Sequence, residues 1–142
     1  RFIAHTTQAW EFSEMDFFQV TGTGGTGASS AFNFALRMVD EDYDLSQFNV
    51  YLFYASDGEN FTEDRSAATD SLLRLSSLLN YIGYVETVPG NTRTNDTEMK
   101  MICHQIEKTG TPLGSYVLNN TDDVWKAIRY FFTPDNCLSE KL

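Results

Sequence analysis

Apolar residues recur along this 142-residue chain in two rhythms, and together they set the order of its elements. Residues 1–7 (RFIAHTT) place Phe2 and Ile3 ahead of polar residues and predict a strand. Residues 9–12 (AWEF) predict a short partner strand across a hairpin-like turn. In the mixed stretch 14–20, Phe17, Phe18 and Val20 are expected to pack against the core. Over 28–39 (ASSAFNFALRMV), Ala31, Phe34, Ala35 and Met38 follow the i, i+3, i+4, i+7 spacing of a helix stripe. The acidic DEDYD segment ends that helix.

Residues 49–55 (NVYLFYA) form an almost continuous apolar run, which fits a parallel-sheet strand buried on both faces. Ser56-Asp57-Gly58 follows at once. A second helix is expected within 63–79, with Leu72, Leu75, Leu78 and Leu79 on one side. A strand follows over 81–88, closed by Pro89-Gly90. The next helix spans 95–107, with Met99, Ile102, Cys103 and Ile106 at helical spacing. A short strand occupies 115–118. Thr121-Asp122-Asp123 then opens a last helix over 124–132, with acids where the helix dipole favours them. Pro134 stops that helix, and the terminal NCLSEKL is expected to fray.

Strands thus alternate with helices. That alternation predicts an α/β fold with a mainly parallel central sheet and helices on both faces. The length fits one domain over 1–142. Ligands on such sheets lie at the carboxyl ends of the strands. The glycine loop before the first helix and Asp57 after a strand can therefore share an edge.

A formal charge of −10 argues against nucleic acid and anionic membrane as partners, because phosphate contacts need clustered Lys and Arg. There is no apolar run of membrane-spanning length and no signal peptide pattern, so a cytoplasmic protein is expected. Cys103 and Cys137 then read as thiols in a reducing compartment, and His5 and His104 lack metal-ligand spacing.

Residues 22–27 (GTGGTG) fit G-x-G-x-x-G and admit three readings. A nucleotide-binding α/β enzyme would place phosphate at this loop. The preceding FFQVT is short for such a strand, however, and Asp57 lies 30 residues past Gly27, where a ribose acid stands about 20 residues on. A hydroxyl-bearing metal loop would use Thr26 with the Asp57 carboxylate, since hard cations such as Mg²⁺ prefer oxygen. Ser29 or Ser30 would support it, and the Gly24-Gly25 pair lets the backbone bend. The third reading is a plain structural turn.

GGT before a helix, with a hydrophobic strand ending in SDG, resembles the second and third motifs of the von Willebrand factor A metal-ion-dependent adhesion site. More closely, RFIAHTTQAWEFSEMDFF, TGGTGASSAFNFAL and FNVYLFYASDGENF resemble the YeaH/YhbH family of bacterial proteins, well over residues 1–90 and loosely beyond. The resemblance implies a von Willebrand A-like, Rossmann-like fold. It implies a metal site with Thr26 and Asp57 as ligands and Gly25, Ser29, Ser30, Ser56 and Gly58 around them. It implies Mg²⁺ or Mn²⁺ as the ion and a protein-binding role in stress response or sporulation, with no enzymatic activity. The partners it suggests are a PrkA-type serine protein kinase or a SpoVR-like protein.

The chain departs from the pattern at one point. The first adhesion motif, Asp-x-Ser-x-Ser, is absent from these residues. The chain opens with Arg1 inside a strand and is expected to be a domain lacking its first strand. Thr26 and Asp57 alone are expected to bind a divalent ion weakly or not at all. A sheet edge left open by that loss is expected to recruit another chain, for instance in a homodimer.

Overall fold

The structure is a computed structural model. It describes residues 1–21, 25–88 and 96–133. The expected Pro89-Gly90 strand stop, the Pro134 helix stop and the terminal NCLSEKL lie outside the described residues. The chain divides into two compact units, one of Arg1–Phe48 with Asn60–Leu75 and one of Asn49–Glu59 with Ser76–Leu142.

In the first unit, β1 (Phe2–His5) and β2 (Ala9–Phe12) pair as an antiparallel hairpin, with Phe2 opposite Phe12 and His5 opposite Ala9. A four-residue helix, α1 (Glu14–Phe17), follows in the stretch with no clear period. The Ser13 side chain opens it by accepting from the Asp16 amide at 3.2 Å. Phe2, Phe17 and Phe18 form an aromatic cluster, with Phe2 5.3 Å from Phe17.

α2 (Ala28–Asp42) packs on the hairpin and buries Ala28, Ala31, Phe32, Ala35, Met38 and Val39. Phe32 takes the deep position that the spacing assigns to Phe34. The Phe34 ring is half-buried and lies under the Arg37 guanidinium, 5.2 Å from its centroid. The helix also runs past Val39 into the acidic segment, ending at Asp42. α3 (Arg65–Leu78) follows a single 3₁₀ turn at Thr62–Asp64 and crosses from the first unit into the second. Leu72, Leu75 and Leu79 are buried as expected, whereas Leu78 at the margin of the stripe is exposed.

The second unit holds a three-stranded parallel sheet of β3 (Tyr51–Ser56), β4 (Tyr81–Thr87) and β5 (Leu113–Leu118) in the order β3-β4-β5. The central strand β4 is buried on both faces over Tyr81–Tyr84. Tyr81 packs with Ala127 and Phe131 of α5 (Asp123–Phe131), against Val85, Tyr116 and Leu118. Full burial of a ring such as Phe131 stabilises by about 1.5–3 kcal/mol. Gly83 is part of this packing, because a Cβ there would stand 2.7 Å from the Phe53 ring and 3.2 Å from Phe131. Glu86 and Tyr84, on the alternate face, meet α4 (Glu98–Glu107).

The parallel pairing of β3 agrees with expectation, but its burial does not. Among the described residues β3 is an edge strand: Leu52, Tyr54 and Ser56 are half-buried, while Tyr51 and Phe53 remain 45% and 46% exposed. An apolar run carries no alternation, so it cannot distinguish a central strand from an edge strand. Phe18 and Val20, expected against the core, are 73% and 39% exposed, and the remaining shifts are at boundaries. α4 starts at Glu98 behind the Thr97 cap, and β5 begins two residues early at Leu113.

Candidate functional site

The sequence-derived site residues fall in two groups. Gly25, Thr26, Ser29 and Ser30 belong to the first unit, and Ser56, Asp57 and Gly58 to the second. Each group has a geometry of its own. Residues 22–24 of the glycine motif lie outside the described residues.

In the first unit the loop enters α2 under tight steric control. The Phe61 ring fills the space a side chain at Gly25 would need, only 1.9 Å from where its Cβ would stand. The Phe61 amide donates to the Thr26 carbonyl at 3.0 Å, and the Gly27 amide donates to the Thr6 carbonyl at 2.9 Å. Thr26 itself is half-buried. Gly27, at the N-cap, has no side chain with which to cap the helix.

Residues from the following segment supply that cap. Asn60 Oδ1 accepts from the Ala28 amide at 2.8 Å. Asp64 accepts from the Ser29 amide at 3.0 Å and also from the Ser29 hydroxyl. The Ser30 hydroxyl donates to the Gly27 carbonyl at 2.8 Å. The amides that would cradle a phosphate at this helix start are thus taken, and a carboxylate stands beside them. This arrangement counts against the nucleotide reading.

In the second unit the Ser56-Asp57-Gly58 turn sits at the carboxyl end of β3. Asp57 is half-buried, and its Oδ1 accepts from the Glu59 amide at 3.1 Å. Gly58 is buried with φ +88°, a left-handed conformation that favours glycine. Its amide donates to Ser56 Oγ at 3.1 Å, and its carbonyl accepts from the Met99 amide at 3.1 Å. Beneath the turn lies the Glu86 carboxylate, 4% exposed. It accepts from Tyr84 Oη at 2.8 Å and from Thr97 Oγ1 at 2.6 Å. Burial pushes the Tyr84 phenol well above its ordinary range, so it keeps its proton and donates.

Phe61, Tyr84, Glu86 and Thr97 are not singled out by sequence pattern, while Asp64 reads there as a solvated helix-start acid and Asn60 as a chance sequon, where the structure makes both caps of α2. Two of the former did leave a signal. Glu86 is a lone acid inside the apolar run YIGYVETV, and Thr97 precedes an apolar-periodic stretch as an N-cap does.

Thr26 in the first unit carries a hydroxyl and Asp57 in the second a carboxylate, each an oxygen type that suits a hard divalent cation. Among the described residues, no group of three or more His, Cys, Asp or Glu is placed to hold a metal ion. His104 Nδ1 lies 3.7 Å from Glu107 Oε2 on the exposed side of α4. Cys103 is a buried free thiol, its pKa pushed up mainly by burial, and Cys137 lies outside the described residues. No helix among the described residues is long and apolar enough to cross a membrane.

A parallel three-stranded sheet flanked by helices, with a polar turn at a strand's carboxyl end, makes this an α/β protein and is consistent with a Rossmann-like fold. Its family follows from comparison. The family described as "Protein of unknown function (DUF444)" matches residues 1–135, and the chain belongs to it. This is the UPF0229 group, the same as the YeaH/YhbH family. The chain is 36% identical over 140 residues to a UPF0229 protein of Clostridium perfringens, covering 99% of this chain and 34% of that protein. It is 35% identical over 128 residues to a UPF0229 protein of Ruminiclostridium cellulolyticum, covering 90% and 32%. It is also 35% identical over 131 residues to a UPF0229 protein of Shouchella clausii, covering 92% and 32%. The chain therefore spans about a third of the length of the curated relatives it matches. No solved structure matches it.

Proposed function

We propose that this chain is part of a von Willebrand A-like, non-catalytic protein-binding domain in the cytoplasm of a bacterium, and that it works through the Ser56-Asp57-Gly58 turn. The observation that carries this reading is the way Asp57 is presented. It sits at the carboxyl end of a parallel strand, where α/β sheets receive ligands. The next residue, Gly58, is fixed through both its amide and its carbonyl. On this reading Asp57 supplies a carboxylate to a Mg²⁺ or Mn²⁺ ion. Other parts of the longer protein and an acid of the partner complete the shell. The role belongs to stress response or sporulation, with a PrkA-type serine protein kinase or a SpoVR-like protein as the partner.

The test is calorimetric titration of the purified kinase and the purified SpoVR-like protein into the full-length protein with Mg²⁺ present. One of the two is expected to bind, at least tenfold more weakly to the Asp57→Ala variant. Equal binding to both forms, or none to either, contradicts the proposal.

A second reading rests on the edge position of β3. With Tyr51 and Phe53 exposed, β3 is the kind of strand that pairs with another chain. Homodimerisation through this edge predicts a mass that rises with concentration in sedimentation equilibrium. A constant monomer mass contradicts it.

A further inference from the structure

We infer that Glu86 is the positioning residue of the Asp57 turn, the hub of two hydrogen-bonded chains that end on either side of Gly58. The inference rests on the reading of that turn as the working face.

The first chain runs through β4 and β3. Tyr84 Oη donates its single proton to Glu86 at 2.8 Å. Ser56 Oγ lies 3.3 Å from the same phenol oxygen. Since the phenol proton is committed to Glu86, the Ser56 hydroxyl must donate to Tyr84. The Ser56 oxygen keeps its lone pairs for the Gly58 amide, which donates to it at 3.1 Å. Every proton in this chain therefore points toward Glu86.

The second chain runs through α4. Thr97 Oγ1 donates to Glu86 at 2.6 Å and accepts from the Lys100 amide at 3.2 Å. That holds the Thr97 side chain where a Cβ on Gly58 would stand, at 2.6 Å. It also sets the first turn of α4, whose Met99 amide donates to the Gly58 carbonyl at 3.1 Å. A carboxylate has only acceptor sites, so it fixes the direction of both chains at once. Both bonds converge on Glu86 Oε2, and a network joined in this way favours one arrangement of the groups it links. Here the group so specified is the turn that carries Asp57.

The test is hydrogen exchange by mass spectrometry on the full-length protein, comparing peptides across 56–60 and 97–101 with peptides from β4 and β5. Glu86→Leu removes the hub. Tyr84→Phe and Thr97→Val each cut one chain, which keeps the inference testable if Glu86→Leu does not fold. Tyr84→Phe is expected to speed exchange at 56–60 at least fivefold. Thr97→Val is expected to speed it at both segments, and Thr97→Ser, which keeps the hydroxyl, to restore it. The strand peptides are expected to stay unchanged.

No acceleration at 56–60 in either Tyr84→Phe or Thr97→Val overturns the inference. So does a rise no larger than that of the strand peptides, because it would mark a merely structural role. Asp57→Ala cuts neither chain but frees the Glu59 amide, so exchange is expected to stay unchanged at 97–101, where the second chain is read. The positioning role therefore stands or falls on exchange, and the binding role on partner affinity.

Discussion

Asp64 accepts from both the amide and the hydroxyl of Ser29, so a residue 35 positions further along the chain caps helix α2. Gly27 cannot do this, and Asn60 takes the neighbouring amide of Ala28. Asp64→Ala leaves the Ser29 amide without its acceptor. Loss of an N-cap acceptor costs about 0.5–2 kcal/mol. The expected outcome is a urea midpoint lowered by that amount, with an unchanged slope. A midpoint equal to wild type contradicts the capping role.

Thr97 occupies the space that a side chain at Gly58 would require. Gly58→Ala is therefore penalised twice. The left-handed backbone costs an L-residue about 1–2 kcal/mol, and the new methyl overlaps Thr97 in addition. The double variant Gly58→Ala, Thr97→Ser is expected to be less destabilised than the sum of its parts, since the smaller side chain relieves the overlap. Additive losses in chemical denaturation contradict that contact.

His5 ties stability to pH. Burial lowers its pKa below the ordinary 6.5, because the imidazolium loses hydration, although hydrogen bonds to Thr6 and Gly27 and the charge of Asp64 oppose the shift. The unfolded chain then takes up a proton before the folded one as pH falls through about 6.5. The His5 contribution to stability is complete above that value and is lost below it, toward the folded pKa. Denaturation midpoints measured between neutral pH and pH 5 are expected to fall in the wild type and to fall less in His5→Gln. Parallel profiles contradict the assignment.

The succession of strands and helices was legible because each long element repeats at its own period. Ala31, Ala35 and Met38 mark α2, and Met99, Ile102, Cys103 and Ile106 mark α4, all of them buried. Burial of β3 was not legible, since an apolar run such as NVYLFYA reads alike at the centre and at the edge of a sheet. The turn at Asp57 was visible as Ser-Asp-Gly after a strand, but the link between it and its supports was not. The parallel register sets Ser56 opposite Glu86, and Thr97 reaches Gly58 from the start of α4. Asn60 and Asp64 reach α2 only through tertiary structure. Local pattern carries no record of such distant pairings.

The central claim is that Asp57 is a working carboxylate and not only part of a turn. The most direct measurement is a calorimetric Mn²⁺ titration of the full-length protein, in the wild type and in the Asp57→Ala variant. The account predicts saturable binding near one ion per chain in the wild type and its loss in the variant, with the fold intact by circular dichroism. Wild-type binding retained in Asp57→Ala, or no binding to the full-length wild type, would contradict it.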